Sequence, residues 1–126
     1  MPKLLHNLLV FIAVVTILTG LVQVVAAPFV LKFIGAQSGK TSAHFFAIIG
    51  MFMALFGGLL WQSLRQPQIG PVPVFWCGLQ KLGAALAVVL GVINGIFSSL
   101  ALGVAIFDLL SGILIFMYWR KLPSKT

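Results

Sequence analysis

"VFWCGLQKLGAALAVVLGVINGIFSSLALGVAIFDLLSGILIFMYW", residues 74–119, is two long apolar runs with little more than Ser98 and Ser99 between them. A hydrocarbon core about 30 Å thick takes about 20 residues of helix to cross, so each run is a candidate span. A link this short makes the two helices adjacent and antiparallel. The first half of the chain repeats the pattern, and the expected spans are 4–27, 43–61, 74–97 and 100–119. The expected fold is therefore all-α: one integral membrane bundle of four transmembrane helices over residues 1–126.

Composition leads to the same class. The chain is 61% hydrophobic and 7% charged, whereas a soluble domain carries about a quarter charged residues. A chain of this size cannot enclose so much apolar surface, so the outer faces must meet lipid. Eight Lys and Arg oppose one acid, Asp108, for a net charge of +7. Most of these cations sit at the ends of apolar runs, where they anchor helices, and they do not line a groove as a nucleic-acid partner requires. The lone Cys77 can form no internal disulfide and reads as a small buried hydrophobe. The basic start and Ala26-Ala27 end of the first run suggest a secretory leader. Its apolar stretch exceeds the about 7 to 15 residues of a leader core, so it reads as a retained first helix.

Orientation follows from the cations. Lys3, Arg65, Arg120, Lys121 and Lys125 fall at one side, Lys32 and Lys40 at the other, which places both termini in the cytoplasm. Trp61, Trp76, Tyr118 and Trp119 gather at the same expected interface. "RQPQIGPVP" (65–73) has three prolines and a glycine and reads as a tight connection. "FVLKFIG" (29–35) is too short to span, and either continues the first helix or lies in the outer interface. "IGAQSGKTSAH" (34–44) resembles a phosphate-binding loop, but only Ala36, Gln37 and Ser38 separate Gly35 from Gly39-Lys40. The nucleotide pattern needs about four residues there and a preceding strand, so no nucleotide is expected. Thr41 or Ser42 is the expected cap of the second helix.

Helices in lipid associate through small residues that let backbones approach. The third run has Gly83, Ala87, Gly91 and Gly95 at four-residue spacing, with Gln80, Asn94 and Ser98 nearby. The second has Ala43, Ala47, Gly50, Ala54 and Gly57; the first Ala13, Thr16, Gly20, Gln23 and Ala27; the fourth Ala101, Ala105, Asp108, Ser111 and Gly112. The bland reading buries all four stripes as packing faces. The sharper one leaves a ligand cleft between helices.

Asp108 carries most of the chemical interest, because a carboxylate near the centre of a bilayer costs about 2.5 to 3.5 kcal/mol on insertion scales. The basic residue within the spans is Lys81, on the neighbouring helix. Counted from the Ser98-Ser99 turn, the two are separated by about 12 Å along the axis; counted from the other ends of the helices, by about 6 Å. Lys81 also projects about 100° from the middle of the glycine stripe. Three readings stay open: a structural ion pair, a proton or ligand site with Gln80, Asn94, Ser111 and Gln23 as polar neighbours, or a lysine that snorkels to the interface. His6 and His44 open helices at opposite faces and cannot clamp one haem. Cys77 and His44 are likewise far apart, which argues against a metal set. No histidine falls at the depth of Ser111 and Asp108, so a hydrolytic triad is unsupported. The chain contains no glutamate, the residue on which small four-helix drug exporters depend.

"LQKLGAALAVV" (79–89) and "FDLLSGILIFMYWRKL" (107–122) resemble small four-helix bacterial membrane proteins, loosely the DoxX-like grouping. The resemblance implies a bacterial inner membrane, a role for Lys81, Gly83 and Asp108, and a link to quinone-dependent redox chemistry. The leading expectation is a non-enzymatic accessory or assembly subunit of a larger complex, in a bacterial inner or thylakoid-type membrane, with lipid and another membrane protein as partners. A small-solute or proton-coupled transporter using Asp108 is the first alternative, and a quinone-linked helper the second. No cofactor is implied by the residues, and pigment, haem and quinone stay open.

Overall fold

The computed structural model describes residues 3–37 and 39–123. Lys125, counted above among the basic residues of one side, and Ser38 of the glycine-containing loop lie outside them. The described chain is all-helical, with five α-helices in the order α1 (Lys3–Val25), α2 (Ala27–Phe33), α3 (Lys40–Arg65), α4 (Val72–Ile93) and α5 (Ala101–Lys121). Four of them, α1, α3, α4 and α5, are long and apolar enough to cross a membrane.

The boundaries have local causes. Pro28 lacks the N–H that would continue α1, so the chain bends at Ala26 and α2 restarts as a separate helix. The apolar stretch after Pro28 therefore does not extend α1, and it packs onto the bundle through Ala27, Leu31 and Ile34, which are buried. α3 runs beyond the expected 43–61 at both ends. Its cap position is Gly39, in extended backbone and without a side-chain cap, so Thr41 and Ser42 lie inside the first turn and do not cap it. The proline-rich connection folds as a 3-10 turn, Pro67–Ile69.

α4 ends at Ile93, earlier than the expected residue 97. Gly95 adopts φ +74°, a left-handed conformation that glycine enters at little cost. The amides of Gly95 and Ile96 then turn back onto the carbonyls of Val92 and Gly91 (3.1 and 2.8 Å), and satisfy two open acceptors of the last turn. Gly35 (φ +74°) closes α2 in the same way, through its own amide to Lys32 and that of Ala36 to Leu31. The two turns dock: Ser98 N–H donates to Ile34 C=O at 2.7 Å.

The long helices form two close pairs, α1 with α3 and α4 with α5, which meet each other more sparsely. In the first pair Gly20 faces Gly50: a Cβ on Gly20 would lie 2.6 Å from the Gly50 oxygen. Gly57 packs in the same way against Ala13 and Ile17. In the second pair Gly112 receives Leu82, and Gly78 receives the Phe116 ring. Two clusters join the pairs. Leu5, Leu9, Leu60, Leu64, Val74, Ile115 and Tyr118 close one end, and Leu31, Ile34 and Ala101 the other. No more than 39% of the apolar window of any long helix is buried inside the protein, so most of the apolar surface faces outward. Such a surface suits lipid and not water.

The glycine stripe of α4 is the main departure from expectation. Gly83 is exposed with nothing within 4 Å of a Cβ placed on it. Ala87 is exposed, Gly91 lies under the Phe97 ring of its own chain end, and Gly95 belongs to the turn. The buried face of α4 runs instead through Val74, Cys77, Gly78, Lys81 and Ala85. Burying the glycine stripe would have swung Lys81 by about 100° toward the apolar outside. Meeting Asp108 inside outweighs close glycine packing.

Candidate functional site

Lys81 and Asp108 meet at mid-height between the two helix pairs. Lys81 Nζ lies 3.2 Å from Asp108 Oδ1, with residue exposures of 3% and 7%. Nζ also donates to Thr16 Oγ1 at 2.6 Å, and the Phe107 ring lies 5.2 Å from it. The lysine therefore has a carboxylate from α5, a hydroxyl from α1 and an aromatic face around it. The early end of α4 makes the meeting possible. Measured from Ile93 and Ala101, the real helix ends, the axial offset is about 8 Å, within the combined reach of the two side chains.

A buried pair is stable only if its remaining donors and acceptors are met. Thr16 meets one donor. Among the described residues nothing donates to Asp108 Oδ2, and one Nζ proton finds no acceptor. Both residues line a cavity of about 340 Å³ between the pairs. Its walls are apolar: Val30, Ile34, Phe46, Ile49, Met53 and Val104, with Ala84 and Ala87 from α4. Gln23 and Gln80 add two carboxamides. Gln23 is buried and uses its Nε2 to donate to Phe46 C=O at 2.9 Å. Phe46, Ile49 and Phe97 also belong to a wider depression of about 500 Å³ at the Gly35 and Gly95 end, so the cavity and this vestibule share a wall. On the other side Leu9, Leu60 and Ile115, 0–2% exposed, close the bundle beneath the pair.

The remaining candidates separate. Ser111 is buried on α5 one turn beyond Asp108. Asn94 is the exposed C-terminal cap of α4 and takes no part in the site. His6 and His44 stand in the first turns of α1 and α3, at opposite ends. Cys77 is buried one turn before Lys81 and directs its thiol at Phe56 C=O, 3.7 Å away. Among the described residues no three His, Cys, Asp or Glu side chains group as a metal site would require. Two contributors escaped the sequence reading. Thr16 stood in a stripe of small residues with nothing to single it out, and Phe107 looked like any lipid-facing aromatic.

No family model matches the chain, and no curated protein or solved structure matches it significantly.

Proposed function

We propose that this protein is a four-span membrane protein, with both termini on the cytoplasmic side, that binds a small molecule within the bilayer and performs no chemistry on it. The observation that carries this reading is that an ion pair with an open carboxylate oxygen and an open ammonium proton lines a mostly apolar cavity. Binding pockets have this composition: mostly apolar walls, volumes of about 300 to 1,000 Å³, and a few convergent polar groups. An ionisable residue inside a span marks a functional site by default. The packed cluster beneath the pair closes the cavity at one end, which favours a binding pocket over a path through the protein. Native mass spectrometry from mild detergent tests the reading. The wild-type protein is expected to carry a small-molecule mass that Ala84→Phe, which fills the cavity, removes; identical masses for both proteins would refute it.

An accessory role in a larger membrane complex is the second reading. Gly83 favours it: it is exposed, with open space where a Cβ would stand, so a partner helix could approach α4 closely there. Gly83→Leu would then release a co-purifying membrane protein without changing the small-molecule mass.

A further inference from the structure

The charges in the cavity limit what can enter it. Lys81 and Asp108 already cancel. A ligand bearing a net charge would leave one charge uncompensated among apolar walls, which is costly in a medium that solvates ions poorly. The ligand is therefore neutral. Its polar end must also satisfy what the protein leaves open. Asp108 Oδ2 needs a donor, and the spare Nζ proton of Lys81 needs an acceptor. A hydroxyl is both at a single atom, whereas a ketone or an ether offers no donor. The Gln23 and Gln80 carboxamides border the same space, and the remaining walls ask for hydrocarbon.

On the reading that the cavity holds a small molecule, we infer that its ligand class is the neutral hydroxyl-bearing amphiphile, an alcohol or phenol with a compact apolar body. The hydroxyl donates to Asp108 Oδ2 and accepts from Lys81 Nζ, while the apolar body lies against Ile49, Met53 and Val104. Ile49 and Val104, both about half exposed, form the rim of the cavity, so access is lateral, from the outer surface of the bundle.

The test is calorimetric titration of the full chain in nanodiscs, with empty nanodiscs as the blank. The probes are para-pentylphenol, its methyl ether and para-pentylbenzoate, which share one body and differ in the head. A hydrogen bond to a charged group is worth enough that the phenol should bind at least about tenfold more tightly than the ether. The benzoate should bind more weakly than the phenol. Asp108→Asn should erase the preference of phenol over ether. Ala84→Phe, which leaves the pair in place, should abolish binding of all three, so the assignment is testable even if Asp108→Asn does not fold. Equal binding of phenol and ether, or tighter binding of benzoate, would overturn the hydroxyl assignment and leave the pocket standing. Binding of none of them above the blank would overturn both.

Discussion

Thr16 Oγ1 on α1 accepts a 2.6 Å hydrogen bond from Lys81 Nζ on α4, 65 residues further along the chain. The ion pair is thereby held by both helix pairs, and not by the α4–α5 hairpin alone. Thr16→Val keeps the shape and removes the acceptor. It should lower stability by about 1 kcal/mol, whereas Thr16→Ser should be nearly neutral. Unfolding curves in detergent would measure both, and a loss for Thr16→Ser with none for Thr16→Val would show that the methyl group matters and the hydroxyl does not.

Removing one member of the pair leaves the other charge buried, so Lys81→Ala or Asp108→Asn should each cost about 3 to 5 kcal/mol. The double variant should cost less than the sum of the two. Strictly additive losses in thermal stability would mean that the residues do not interact.

Backbone contact between α1 and α3 makes a second contrast. A Cβ on Gly20 would meet the Gly50 oxygen at 2.6 Å and the Ala54 nitrogen at 2.8 Å, and these are backbone atoms that cannot turn away. Gly20→Ala should therefore destabilise by about 1 to 3 kcal/mol. Gly83→Ala, with nothing within 4 Å, should change stability by less than about 0.5 kcal/mol. A melting series of these two variants separates packing glycines from surface ones.

Gly95 ends α4 at φ +74°, and this early end brings Lys81 level with Asp108. Gly95→Ala should cost about 1 to 2 kcal/mol through left-handed strain alone. Gly95→Asn, better tolerated there, should cost less. An alanine variant as stable as the parent would show that the turn is not the constraint described.

Much of this arrangement could be read in advance. The four long helices follow from apolar runs of spanning length, and Lys81 and Asp108 stand out because charge inside such runs is expensive. The rotation of α4 was harder to read. Gly83, Ala87, Gly91 and Gly95 presented a regular packing face about 100° from Lys81, and periodicity alone does not weigh glycine contact against charge pairing. The break at Ala26 was signalled by Pro28, but the length of α2 and its docking to Ser98 depend on contacts distant in sequence. The cavity belongs to neither helix pair. It arises where the pairs fail to close on each other, so no local pattern encodes it.

Photo-crosslinking in nanodiscs, using a phenol that carries a diazirine and mapping the labelled peptides by mass, tests the central claim most directly. Label is expected on half-buried cavity residues such as Phe46 and Met53, and is expected to vanish from them in Ala84→Phe. Label confined to outward-facing residues such as Phe11, Leu55 and Leu86, and indifferent to Ala84→Phe, would contradict a binding site between the helix pairs.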